Sequence, residues 1–481
     1  MKSKIYGSLL LLIICSSVAC KKFLDEPSRT DLPAEKFWRN PDDAKLGVAA
    51  IYDGVQKTLS GNYTDWGDAR SDNFTWGGTG ENQINITLNG LNPTMGVADW
   101  TSLYRTVSYC NLAIKYLPTI ELLPATERDN YLAQAYAIRG LMYFYAVRLW
   151  GNVPVRTIPY EDINQDPRIA QSTADDVMNN VILPDLNKAY ELSDKRITSP
   201  VWYVNSGAIL AMLTDAYLWK KDYAKVLENS TKLMALNRYA LEATENWKKM
   251  FVEPASYPKE NIWSLQWNAL KDGGNGISKI GSGSNTSNYH IDSTVFLRFE
   301  ADTNDIRRGY TYDTLVPERG ERVTQIAKFY AYGPNGNVLY PNNNENEAKL
   351  PMYRFADVLL MRAEALNMTG DKGGAIALVN QVRRRARAKQ LNAADYNSPK
   401  EVEKVILDER QLELFAEGKR WFDLRRTDRV VEVMDPILRY RQSQQGMEAV
   451  GFGDIRKVLF PISRSALTNN TLLVQNKPYS E

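Results

Sequence analysis

Tyr131-Leu132-Ala133-Gln134-Ala135-Tyr136-Ala137-Ile138-Arg139-Gly140-Leu141-Met142-Tyr143-Phe144-Tyr145-Ala146-Val147 sets small and large side chains at spacings of three and four. That is the period of an α-helix, and small residues alternating with rings are what close helix packing requires. The pattern predicts a helix over 127–150, stopped by Gly151-Asn152-Val153-Pro154. The same period recurs on either side. It covers 41–59, 99–117 and 172–192, the last opened by Ser172-Thr173-Ala174-Asp175, a cap with an acid in the first turn. Residues 204–219 and 222–236, split by Lys220-Lys221-Asp222, read as an αα-hairpin of the tetratricopeptide kind. A second hairpin, 355–368 with 372–388, is broken by Thr369-Gly370-Asp371, and helices are expected at 399–416 and 420–428. The fold class is therefore mainly α: a tetratricopeptide-like superhelix of helix pairs, with long irregular loops and a few short strands.

Two stretches interrupt the helices. Residues 60–98 are rich in Gly, Asn and Thr and show no sustained period, so they read as a loop long enough to be functional. From 241 to 350 helical periodicity fades, and short β-like pieces such as Ile262-Trp263-Ser264-Leu265-Gln266-Trp267 appear between Gly-rich loops. Residues 46–481 of the 481 thus form one body, with a helical frame at 46–240 and 351–481 and a loop-rich insertion at 241–350.

The N-terminus is of another kind. Met1-Lys2-Ser3-Lys4, the run Leu9 to Ile14, and Ser16-Ser17-Val18-Ala19-Cys20 read as an export signal over 1–19 ending in a lipoprotein box. Cys20 would become the lipidated first residue, joined to the body by a polar tether over 20–45. Removing 1–19 takes away Lys2 and Lys4 and no acid, leaving 57 basic side chains against 57 acidic ones. A balanced charge gives no footprint for nucleic acid. One His excludes a zinc site of several histidines within the chain, and once Cys20 carries lipid, Cys110 has no disulfide partner.

The ordered set of motifs resembles the SusD/RagB family of outer-membrane nutrient-binding lipoproteins of Bacteroidetes. The resemblance covers nearly the whole chain. It rests on Cys20 with Leu24-Asp25-Glu26-Pro27, the Gln134–Phe144 stretch with Gly151-Asn152-Val153-Pro154, and Tyr353-Arg354-Phe355-Ala356-Asp357 continuing to Ala365. Beyond these come Asn380-Gln381-Val382-Arg383, Glu409-Arg410-Gln411-Leu412-Glu413, Glu417-Gly418-Lys419-Arg420-Trp421-Phe422-Asp423 and Phe460-Pro461-Ile462. The resemblance implies four tetratricopeptide-like helix pairs with irregular regions over one face. It also implies a lipid-anchored place on the outer membrane, facing out, and a SusC-like TonB-dependent β-barrel transporter that receives an oligosaccharide or polysaccharide from this chain. Capture of peptides or another oligomeric nutrient by the same lid is the alternative. A tethered glycoside hydrolase is a third reading, because an inverting enzyme needs only two carboxylates.

The residues narrow these readings. Arg354, Asp357, Arg362 and Glu364 lie in an apolar helix, and Glu409 to Asp423 repeat charges three or four apart. Buried pairs that fix helix register, including a local Arg354–Asp357 pair, are the expectation, in preference to a catalytic pair of acids. The basic run Arg383 to Lys389 reads either as a solvated helix end or as a partner-binding face. A sugar ring needs a flat aromatic surface for its CH face and polar groups for its hydroxyls. Tyr63, Asp65, Trp66, Asp72, Asn73 and Trp76 in the first loop offer that mixture, and His290 and Arg307 in the insertion add to it. The face of Trp263, Leu265 and Trp267 reads as core. Asn342 to Asn344 and Asn346 could offer oxygens to calcium, but only Glu345 and Glu347 supply carboxylates and no EF-hand spacing is present, so no motif calls for a cofactor and calcium stays an open alternative.

Overall fold

The computed structural model describes residues 37–77, 80–162, 164–196, 200–274, 288–313, 325–329 and 348–479. The export signal, Cys20, most of the tether and the segment Asn342–Glu347 lie outside the described residues.

Helix α1 (Pro41–Leu59) begins where Pro41 fits the first turn, and Asn40 and Asp43 close a reciprocal capping box at its start. It packs on α2 (Thr101–Tyr116), which packs on α3 (Ala125–Trp150). From Leu132 onward α3 is buried on every side except at Tyr136, so it is the central helix of the frame. Gly140 lets it close on its neighbour: a Cβ there would stand 3.2 Å from Leu186 Cγ. That neighbour, α4, runs as Ala174–Val177, a wider π turn at Met178–Ile182, and Leu183–Leu192. Pro184 brings no N–H to the helical ladder, which accounts for the widened turn before it.

Next come α5 (Ser206–Trp219) and α6 (Tyr223–Ala235), then α7 (Phe355–Met368) and α8 (Lys372–Arg385). Asn205, Asp222 and Asp371 cap α5, α6 and α8 by accepting from Ala208 N, Lys225 N and Gly374 N. The pairs α1–α2, α3–α4, α5–α6 and α7–α8 stack in chain order, which gives the four helix pairs that the family resemblance implied. Helix α9 (Pro399–Glu413) lies on α7 and α8, and the short α10 (Arg420–Arg426) follows it.

Three expectations need correction. The helix expected at 399–416 ends at Glu413, because Ala416 and Gly418 take positive φ of 63° and 68°. A further helix, α11 (Val430–Gln444), was not foreseen; it contains Pro436 and carries Arg441 inward. The stretch 60–98 is not continuous loop, since it folds into short elements at Asn62–Gly67, Phe74–Trp76, Glu81–Thr87 and Gly96–Ala98. Packing rather than periodicity holds them. Gly67 is pressed so closely on the turn after α9 that a Cβ would stand 2.2 Å from Gly418 O.

Eight short strands pair as four two-stranded antiparallel ribbons among the described residues. The ribbon of Asn261–Leu265 with Leu350–Arg354 ties the insertion to the frame, and every residue of both strands is buried. Trp263 and Trp267 are therefore core, as expected.

Behind that ribbon lies a buried ionic network. Arg354 donates to Glu260, Glu413 and Glu417 at 2.5–2.8 Å. Arg385 joins Glu260 and Glu413, and Arg307 joins Asp305, Glu409 and Glu413. Lys328 donates to Glu417, and Arg383 to Glu409. The acids Glu260, Asp305, Glu409, Glu413 and Glu417 are thus matched in number by Arg307, Lys328, Arg354, Arg383 and Arg385. Burial opposes the charge of Glu413, but Arg385, Arg354 and Arg307 outweigh it and hold the carboxyl well below its ordinary range. Burial pushes the Lys328 ammonium down to about 8. The local Arg354–Asp357 pair does not form. Asp357 instead pairs with Arg410 at 2.8 Å and Lys419 at 3.2 Å, and despite burial these cations hold it down to about 2. The partners come from distant helices and turns, so the charges fix how elements dock and not only the register within one helix.

Candidate functional site

The two stretches singled out for ligand contact meet in one ribbon. Phe74–Trp76 pairs with Tyr289–Ile291, setting Phe74 opposite Ile291, Thr75 opposite His290, and Trp76 opposite Tyr289. Strand alternation puts Phe74, Trp76, Tyr289 and Ile291 on one face and Thr75 and His290 on the other. Phe74 stacks on Tyr289 at 5.9 Å and meets the edge of Phe415 at 5.4 Å, which roots the first face in the core. Trp76, at the strand end, remains half-buried. The Tyr289 hydroxyl donates to Asp65 Oδ1 at 2.8 Å.

His290 and Thr75 are half-buried on the second face. Burial lowers the imidazole's affinity for a proton, and its Nε2 has no hydrogen-bond partner among the described residues. That nitrogen is itself shielded from solvent, so the neutral ring does not offer it at the open surface.

Arg441 holds the ribbon in place. Its guanidinium donates to Phe74 O at 2.7 Å, Thr87 O at 2.9 Å and Asp292 Oδ2 at 2.7 Å. One side chain thereby joins the first strand, the helix Glu81–Thr87 and the residue after the second strand. No periodic signal marks Arg441, because the Pro436 of its helix hides the pattern.

The other expected ligand residues have structural work. Trp66 is fully buried, donates Nε1–H to Val97 O at 3.0 Å and packs edge-on against Trp150 at 5.5 Å. Buried Tyr63 donates to Pro351 O at 2.6 Å. Asp72 is sealed in a two-oxygen pair with Arg420 at 2.8 and 2.9 Å. Asn73 donates to Asp68 and accepts from Gln411, and Arg307 sits in the ionic network. Buried in this structure, these residues are corrected from surface contacts to packing and docking groups. Asp65 is half-buried and spends one oxygen on Tyr289. Of the residues proposed from sequence, Trp76 and His290 remain partly open, on opposite faces of the same ribbon.

The acids of the 409–423 motif also face inward. Glu409, Glu413, Glu417 and Asp423 are all buried and engaged by Arg or Lys. Arg383 and Arg385 from the basic run turn to Glu409 and Glu413, while Arg384, Arg387 and Lys389 stay exposed. Among the described residues no cluster of His, Cys, Asp and Glu could hold a metal ion, and no helix is long and apolar enough to cross a membrane.

Stacked helix pairs that carry a small aromatic and polar ribbon, with the charged motifs turned inward, define a binding scaffold. The chain belongs to the SusD/RagB family: the SusD-family sequence model matches residues 259–479, and a related model described as starch-binding associating with outer membrane matches 22–218. SusD-like protein P38 of Formosa agariphila is 28% identical, over 98% of both chains. A SusD-like protein of Bacteroides ovatus is 24% identical, over 88% of this chain and 82% of its own. Among solved structures, a laminarin-binding SusD-like protein superposes with a TM-score of 0.75 at 22% identity, covering 92% of this chain and all (100%) of the other. B. fragilis NanU superposes with a TM-score of 0.76 at 20% identity, covering 95% of this chain and 100% of its own.

Proposed function

We propose that this chain captures an oligosaccharide or polysaccharide at the outer membrane and passes it uncut to a SusC-like TonB-dependent barrel. Lipid on Cys20 would hold it there, facing the cell exterior, and several acyl chains make a durable anchor at roughly 0.8 kcal/mol per buried CH2. The observation that carries the capture reading is the half-exposed Trp76 at the end of a ribbon rooted in the core through Phe74 and Tyr289. The indole supplies a flat face for the CH side of a sugar ring. Family membership and the likeness to a laminarin-binding SusD-like protein support the ligand class.

Trp76→Ala is expected to weaken retardation in glycan-containing native gels by about tenfold in Kd, as the loss of one stacking surface implies. Its melting temperature should stay close to that of the wild type, because Trp76 is not enclosed. Unchanged retardation would move the capture surface away from this ribbon. Delivery is tested by mild detergent extraction of outer membranes, in which a large barrel should co-purify with the intact lipoprotein; its absence would remove that half of the proposal.

A further inference from the structure

A second surface has the chemistry of a sugar site and shares no residue with the ribbon. Between the last turns of α1, the turn before α5 and the segment after Asn261–Leu265 lies a cleft of about 290 Å3. Its walls include Trp202 and Tyr203 on one side and Asp53, Gln56, Gln266 and Asp272 around the rest. The volume is near the lower end of small-molecule sites, about 300 Å3, and suits one ring better than a long segment.

The aromatic wall is fixed. Tyr203 N donates to Pro200 O at 3.0 Å, which closes the turn, and Ser264 N donates to Val201 O at 2.8 Å, which ties it to the buried strand. Val204 N donates to the Tyr52 hydroxyl at 2.9 Å, and that hydroxyl donates to Gln134 Oε1 at 2.6 Å. The Tyr52 ring then meets Tyr203 edge-on at 5.2 Å and 86°. Tyr203 is nevertheless 46% exposed. An exposed ring whose backbone and inner edge are immobilised binds with little ordering cost.

The polar wall is also arranged. Gln56 donates through Nε2 to Gln266 O, which joins α1 to the segment after the strand. Asp272 Oδ2 accepts from Asn268 N at 3.0 Å, and Asp53 Oδ2 accepts from Lys57 at 2.7 Å. Carboxylates accept hydrogen bonds from adjacent hydroxyls and repel anions. We infer that this cleft is a second carbohydrate subsite, taking a neutral hexose unit in preference to a uronate or sulfated one. The inference rests on the glycan-capture reading and adds a place and a charge preference to it. A long chain held at two subsites would bind more tightly than either subsite alone allows.

Native affinity electrophoresis of the full chain through laminarin, starch, galactomannan and alginate tests this. The wild type should be retarded by at least one neutral polymer and less by alginate. Tyr203→Ala should weaken that retardation by about tenfold in Kd, the scale of one lost stacking contact. Asp272→Ala, a change at an exposed position, should weaken it in the same direction and decides the matter if Tyr203→Ala melts early. If both variants run as the wild type while Trp76→Ala does not, the second subsite is wrong and the ribbon stands. Stronger retardation by alginate than by every neutral polymer would overturn the charge preference. If no polymer retards the wild type, the capture reading and the subsite fall together.

Discussion

Arg354→Ala is expected to cost about 3–5 kcal/mol of folding stability, the scale of breaking a buried ion pair by removing one partner. Arg354 is fully buried and donates to Glu260, Glu413 and Glu417, which reach it from two separate segments of the chain. Removing the guanidinium leaves the five buried acids of the network with four cations. Arg385, Arg307 and Lys328 still touch them, so partial compensation is built in. The loss should appear as a lower thermal midpoint. It should also change the acid response. Glu413 has its folded pKa depressed, so its contribution is present above its unfolded pKa and is lost as pH falls through the folded value. In Arg354→Ala that depression shrinks, so the low-pH loss of stability should flatten. An unchanged midpoint together with an unchanged acid limb would contradict the view that this network docks the insertion on the frame.

Trp66→Ala should cost a similar amount, about 3–5 kcal/mol, as expected for removing an enclosed Trp. The indole fills the space between Trp150 and Tyr145, and its N–H satisfies the Val97 carbonyl. Deletion leaves a cavity and an unpaired buried carbonyl together. The molecules that do fold should retain glycan affinity, because Trp66 has no exposed surface. Trp66→Ala and Trp76→Ala thus form an opposed pair, one altering stability and sparing binding, the other the reverse. Loss of glycan retardation in folded Trp66→Ala would contradict that division.

These two tryptophans also mark how far the sequence could be read. They stand ten residues apart in the same Gly- and Asn-rich setting, so composition gives them equal claim to a ligand. What separates them is tertiary. Gly67 must approach Gly418, far along the chain, and that contact draws Trp66 inward. The long helices were legible because period 3.6 persists over several turns and Asn, Asp or Ser marks their starts. The helix Val430–Gln444 was not, because Pro436 interrupts it. Its Arg441, which clamps the ribbon, was hidden for the same reason. The charged motifs were legible as buried pairs, but their partners were not. Spacing along a helix suggested Arg354 with Asp357, while packing gave each a partner from a distant element. The meeting of Trp76 with Tyr289 and His290 likewise depends on the pairing of two short strands with no strong pattern of their own.

The measurement that bears most directly on capture without cleavage is isothermal titration of the whole chain with purified polysaccharides, each run long enough to register turnover. The account predicts saturating heat with at least one neutral glycan, a return to baseline after every injection, and no new reducing ends in the cell. Sustained heat with accumulating reducing ends, or no saturable heat with any glycan, would contradict it.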